Sequence, residues 1–209
     1  MPKRFTSIVL FMALYLTGCM SIVQSVIGIK DARKLTDEQI VKASRKFKID
    51  QNANYRLDTT FYTYIKSLDT ALYKTQKKNH IQPLQALYFD SQGKHTKYYL
   101  NCYAGGFPNL KWNRNGNLET FLPKDQAPTD TLLDLKKQLQ FLKPVGVSPK
   151  EISTQNYDYL VFVYWNKCTK RHSRSLIKNI NKNISKATNA KVKLIYVNYD
   201  NVFYELEHR

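Results

Sequence analysis

Cys168 is the residue of this chain best placed to do chemistry. It follows Trp165-Asn166-Lys167, where the apolar and aromatic run Tyr157 to Trp165 gives way to a basic helical segment. A thiol at a helix N-terminus has its thiolate favoured by the macrodipole, and neighbouring cations strengthen that field. Lys167, Lys170, Arg171 and His172 would supply the cations, with Trp165 beside the sulfur. The chemistry would be thiol exchange or nucleophilic attack. The competing reading is a structural cysteine at a strand end. Beyond position 19 only Cys102 and Cys168 occur. In an oxidising compartment they either pair or stay apart as small buried apolar side chains.

Other chemistries lack their residues. His80, His95, His172 and His208 are scattered without metal-ligand spacing. No nucleophile elbow surrounds a serine, and Gly105-Gly106 is a bare pair rather than a phosphate-binding loop. No metal or other cofactor is implied. Tyr98, Tyr99, Tyr103, Phe107 and Trp112 gather around Gly105-Gly106-Phe107-Pro108. Strand alternation sets Tyr99 and Tyr103 on one face and Tyr98 on the other. Tyr99, Tyr103, Phe107 and Trp112 either stack on a sugar or peptide, or fill the core of a sheet.

The segment after Cys168 carries the clearest surface pattern. Arg174, Lys178, Lys182 and Lys186 recur every four residues, with Leu176, Ile177, Ile180 and Ile184 opposite. No acid occurs between Asp158 and Asp200, against nine Lys or Arg. Such a stripe either meets anionic headgroups, at roughly 1 kcal/mol per cation close to the surface, or is the solvated side of a core helix.

Strand, aromatic residue, cysteine and helix in that order resemble the active-site region of thioredoxin-like proteins, over about Tyr157 to Asp200. The family uses Cys-x-x-Cys, and here Arg171 occupies the second position. The family also places a proline before a later strand, and no proline follows Val197. The resemblance implies a degenerate scaffold, or thiol handling by Cys168 alone.

A second resemblance lies at the start of the chain. Lys3 and Arg4 precede Phe5 to Leu16, which carries no charge, and Leu16-Thr17-Gly18-Cys19 closes the segment. Twelve residues are too few for a bilayer span, which needs about 20. The arrangement resembles the lipobox of bacterial lipoproteins, in which a peptidase cuts before the cysteine and its thiol receives diacylglycerol. That likeness implies a signal peptide over 1–18, Cys19 as the lipidation site and an acylated chain held at the cell envelope. No acidic cluster follows Cys19, which points to a periplasm-facing protein.

Composition agrees with a folded domain. Apolar residues make up 43% and aromatics 13% of the chain, enough for a core. The net charge of +17 would first suggest nucleic acid, but export removes that partner. Anionic lipid headgroups and lipopolysaccharide phosphates take its place, or the charge follows the general abundance of Lys, Asn and Tyr. Three triplets, Asp58-Thr59-Thr60, Asp69-Thr70-Ala71 and Asp130-Thr131-Leu132, resemble an O-glycosylation signal of some envelope bacteria. Patterns so short also arise by chance.

The elements that would position these residues form an α+β domain over 36–209, behind a tether at 19–35. Thr36-Asp37-Glu38-Gln39 is a capping box opening a helix over Asp37–Lys46, with Ile40, Val41 and Phe47 inward. Asp50–Tyr55 reads as a loop. Phe61, Ile65, Leu68 and Leu72 predict one helix over Thr60–Thr75. Ala86–Asp90 and Lys97–Tyr103 read as a hairpin, and Asn115-Gly116 predicts a second between Asn109–Asn113 and Leu118–Leu122. Leu132, Leu135, Leu139 and Leu142 predict a helix from Thr129, ended by Pro144. Tyr157–Trp165, Lys170–Ala187 and Val192–Val197 predict a βαβ unit. Tyr199–Leu206 reads as an extension or an edge strand. The expected architecture is thus central antiparallel hairpins, N-terminal helices and a C-terminal βαβ unit.

Overall fold

The computed structural model describes residues 31–100 and 111–208. Cys19, Cys102, Tyr103 and Phe107 lie outside these residues, as do the signal segment and most of the tether. Among the described residues no helix is long and apolar enough to cross a membrane.

The α+β class is what the fold shows. Helix α1 (Asp37–Lys46) opens at the capping box: Gln39 N–H donates to Thr36 Oγ1 at 3.3 Å, and Gln39 Oε1 accepts from Thr36 N–H at 3.1 Å. Acids in its first turn and bases in its last complement the macrodipole. Next come β1 (Asn54–Leu57), α2 (Thr60–Ser67), α3 (Thr70–His80), β2 (Gln85–Asp90) and β3 (His95–Leu100). After these follow α4 (Leu135–Gln140), β4 (Leu142–Pro144), β5 (Tyr159–Trp165), α5 (Lys170–Ile184), β6 (Val192–Asn198) and α6 (Asp200–His208).

Among the described residues six strands form one sheet in the order β3-β2-β5-β6-β1-β4. β5, β6 and β1 run parallel, while the pairs β3–β2, β2–β5 and β1–β4 are antiparallel. A core lies on each face. Leu160, Phe162 and Tyr164 point into one, with Phe61 and Ile65 of α2 and Val202 of α6. Val161, Val163 and Trp165 point into the other, with Ile40 of α1 and Leu176, Ile177 and Ile180 of α5. The unbroken apolar run of β5 is therefore covered on both sides, as a central strand needs. β5, α5 and β6 make the expected βαβ unit. The antiparallel hairpin beside it, β2–β3, comes from earlier in the chain.

Several local expectations are corrected. The single helix over Thr60–Thr75 is two: Leu68 is extended, and Asp69 recaps the chain by accepting from Ala71 and Leu72 N–H. Phe61 and Ile65 stay buried, but Leu72 is 70% exposed. The loop Asp50–Tyr55 contains a 3-10 turn and the start of β1. Tyr55 and Leu57 alternate with Arg56, but four residues are too short for periodicity to separate from a turn. The helix predicted from Thr129 begins only at Leu135, where Asp134 accepts from Lys137 N–H at 2.7 Å. Leu142 pairs with Leu57 in the sheet instead of prolonging that helix.

Asn115 and Gly116 do adopt positive φ, at 58° and 68°, as a hairpin turn would require. No strand flanks them among the described residues. Asn183 of α5 donates to the carbonyls of Leu118 at 3.1 Å and Thr120 at 2.7 Å, groups a partner strand would have taken. Tyr199–Leu206 is helical, not an edge strand. Tyr199 and Val202 are fully buried and Leu206 packs on the same core, a spacing that suits a helix and not a strand.

Candidate functional site

The turn after β5 places Cys168 inside the protein. Asn166 Oδ1 accepts from Cys168 Sγ at 3.0 Å, Thr169 N–H at 2.7 Å and Thr169 Oγ1 at 2.7 Å. Ser173 Oγ donates to the Asn166 carbonyl at 2.7 Å. Asp200, buried at the start of α6, accepts from Lys167 N–H at 2.8 Å and from Asn198 Nδ2 at 2.7 Å. Burial pushes the Cys168 thiol up to about 12, and the carboxylates of Asp200 and Glu207 push it the same way. Burial also raises the Asp200 carboxyl, against the N–H groups that favour its charged form. The polar groups here satisfy one another and tie β5 to β6. In this arrangement burial favours the neutral Cys168 thiol over its thiolate.

One consequence is measurable. In a Cys102→Ser background, Cys168 should resist a maleimide at pH 8 in native protein and react fully once denatured. Equal rates in both states would put the thiol at the surface.

The other nominated residues divide. Trp165 is buried edge-on to Phe47, with centroids 5.1 Å apart. His172 is half-buried on α5. Tyr99 is buried and its hydroxyl donates to the Lys124 and Asn117 carbonyls, while Trp112 is 2% exposed. Both belong to the core on the α5 face of the sheet. In the basic stripe, Arg174 lies 5.8 Å over the Phe47 ring and Lys186 pairs with Glu119 at 2.5 Å. Lys178 and Lys182 point outward and are exposed.

The structure also assembles a cluster that spacing did not suggest. His80, from the end of α3, is 1% exposed, and its Nε2 lies 3.0 and 3.1 Å from the two carboxylate oxygens of Asp130. Its Nδ1 lies 3.3 Å from the hydroxyl of Tyr98 on β3. Gln85 donates through Nε2 to the carbonyls of His80 and Gln82, which fixes its Oε1 as an acceptor; Tyr98 donates to that oxygen at 2.8 Å. The Tyr98 hydroxyl has then spent its proton on Gln85, while His80 Nε2 faces both carboxylate oxygens of Asp130. Burial works against the Asp130 carboxylate, but the hydrogen bond and charge of His80 hold it below its ordinary range.

His95 completes the cluster. Its ring stacks on Phe89 at 5.1 Å and meets Tyr98 edge-on at 4.9 Å. Neither ring nitrogen makes a hydrogen bond of ordinary geometry among the described residues. Burial, and then His80, push the imidazole down to about 4; Asp130 and the backbone near Lys97 oppose this only in part. His95 is thus held neutral beside the His80–Asp130 pair. Among the described residues no group of three potential ligands could hold a metal ion.

Outside this cluster lies a groove of about 690 Å³, between Lys94–Lys97 and Asp125–Thr129. It follows the outer edge of the sheet. Farther along that edge the chain covers itself: Gln126 bonds the N–H and C=O of Leu100 at 2.7 and 2.9 Å, and Ala127 N–H donates to the Tyr98 carbonyl at 3.2 Å. Near His95 this cover is withdrawn and the groove opens. Lys97 Nζ bridges it to Asp125 at 2.6 Å. Sequence held no signal for this site, because residues 80, 95 and 130 share no period.

No protein-family profile, no curated protein and no solved structure matches the chain.

Proposed function

We propose that this protein is a membrane-anchored lipoprotein of the bacterial envelope, held through Cys19 and facing the periplasm, with a non-enzymatic binding or structural role. The Leu-Thr-Gly-Cys segment supports the location. The groove beside β3 supports binding: it is the place where the sheet edge lies open and polar side chains from two segments converge. Thiol handling by Cys168 is the second reading. The buried sulfur, bonded to Asn166 and raised by its surroundings, favours it less. Lys178 and Lys182, exposed on α5, suit contact with anionic headgroups or lipopolysaccharide.

A photo-crosslinking residue at Thr129, in the groove, tests the binding role in intact cells. A discrete adduct is expected from Thr129 and none from an exposed control at Gln140. Equal labelling at the two positions, or none at either, would leave a structural role in its place.

A further inference from the structure

The corner between α2 and α3 stands out from the domain. Seven residues in a row, Asp69 to Thr75, are exposed, although Thr70 to Thr75 are helical and span more than one turn. Every side of the helix is therefore bare at its start. Leu72 is 70% exposed and Tyr73 36%, two of the three large apolar side chains left uncovered among the described residues. The corner is nonetheless firmly built. Asp69 accepts from Ala71 and Leu72 N–H at 2.7 and 3.4 Å. Lys77 Nζ donates to the Leu68 carbonyl at 2.6 Å, to Thr70 Oγ1 at 2.9 Å and to the Lys66 carbonyl at 3.3 Å. Farther along α3, Asn79 and His80 are buried. An apolar tip is thus held out on a fixed base.

We propose that this tip enters the interface of the bilayer that carries the anchor, with Leu72 reaching the acyl chains and Tyr73 at headgroup level. The inference rests on the envelope reading above, and it names the face on which the tethered domain settles.

Charge selects the occupant. Between Asp58 and Asp90 four lysines stand against one acid, Asp69, whose carboxylate is taken up by N–H groups. Lys66, Lys74 and Lys78 are exposed and make no ion pair among the described residues. Such lysines lay their stems along apolar surface and keep their ammonium groups among anionic headgroups. Tyrosine favours the same boundary, with its ring apolar and its hydroxyl wet. Area argues against a protein partner. A stable protein interface takes roughly 800 Å² from each side, far more than two side chains at a helix tip present. A tethered domain needs much less. Cys19 lies twelve positions before Asp31, a reach of at most about 40 Å. Confinement to that distance raises the effective concentration of the surface, so a small contact suffices. The tether also enters on the matching side. Ala32 N–H donates to Glu207 of α6 at 3.4 Å, and Val202 of α6 shares its core with Phe61 and Ile65 of α2. Lys178 and Lys182 belong to α5, which packs on the opposite core.

The test uses the full chain, cleaved and lipidated, in a Cys102→Ser background and reconstituted in phosphatidylcholine vesicles containing phosphatidylglycerol. A fluorophore on Ala71→Cys, exposed beside an intact Leu72, is expected to shift to the blue and to be quenched by brominated acyl chains. The same fluorophore on Val147→Cys, a site 69% exposed, should show neither change. Leu72→Gln with Tyr73→Gln should abolish the quenching at position 71. Glutamine keeps good helix propensity and both side chains are exposed, so melting should match the parent. Lys66→Gln, Lys74→Gln and Lys78→Gln together should weaken the quenching, as should added salt. Lys178→Gln with Lys182→Gln should leave it unchanged. No quenching at position 71, equal quenching at 71 and 147, or quenching that survives Leu72→Gln with Tyr73→Gln overturns the inserted tip and leaves the anchor standing. A loss caused by the α5 pair overturns it as well. A chain recovered uncleaved and without acyl groups overturns this inference together with the envelope reading.

Discussion

Cys19→Ala is expected to abolish incorporation of labelled fatty acid into the protein and to leave the signal segment uncut. The physical reason is that a single thiol starts the anchor. Each buried CH₂ of an acyl chain contributes about 0.8 kcal/mol, and stable attachment takes more than one chain. Loss of the acceptor thiol removes every chain at once, so the effect should be close to all-or-none. Folding should be untouched. The described chain begins at Asp31 and is tied down at once: Leu35 N–H donates to Asn201 Oδ1 at 2.7 Å, and Lys34 pairs with Glu205 at 2.8 Å. Ala32 is buried with its N–H on Glu207 of α6, and Leu35 is buried in the core on the α5 face. An anchor at Cys19 would therefore enter the domain on its α6 side, and the melting temperature of the variant should equal that of the parent. A variant that still incorporates labelled fatty acid as the parent does would end the lipoprotein reading.

Acid should weaken the fold through His95. Its folded value of about 4 lies below the roughly 6.5 of an exposed histidine. Between those two values the unfolded chain binds the extra proton and the native chain does not. Stability from this residue is therefore fully present above about pH 6.5 and is lost as pH falls towards 4. The difference corresponds to about 3 kcal/mol, at 1.36 kcal/mol per pH unit of displacement. Urea unfolding at pH 7 and pH 4 reads it directly. Asp130, held below its ordinary range, would add a further loss in more acid solution.

His95→Phe isolates the histidine. Phenylalanine keeps the stack on Phe89 and the edge contact with Tyr98, but it cannot take a proton. It also removes two buried nitrogens that make no hydrogen bond of ordinary geometry among the described residues. Replacing such poorly bonded polar atoms by an apolar group costs little stability. The variant should thus be nearly as stable as the parent at pH 7, with a flatter profile down to pH 4. An unchanged slope would assign the acid sensitivity to other groups.

Short-range chemistry makes part of this fold legible in the amino-acid sequence. The capping box at Thr36 sets where α1 starts, because its bonds form within four residues. The run Leu160 to Trp165 had to be a strand covered on both faces, and the period of Leu176, Ile177 and Ile180 had to be a helix against one of them. The βαβ unit follows from their order. The positive φ of Asn115 and Gly116 is equally local, and only the absence of pairing strands among the described residues differs. Tyr199, Val202 and Leu206 even show a helical spacing, masked by continuity with the apolar strand that precedes them.

Tertiary contacts decided the rest, since the competing states differ by partners far away in the chain. β1 is four residues long and exists because β6 and β4 flank it. Leu118 is buried without forming a strand because Asn183 takes its carbonyl and that of Thr120. Cys168 looks activated from its neighbours in sequence, yet Asn166 and Asp200 close around that turn and burial favours the neutral thiol. The His80–Asp130–Tyr98–His95 cluster joins a helix end, an edge strand and a loop 50 residues apart. No period or motif links such positions, because hydrogen-bond geometry and burial arise only once the sheet has brought them together.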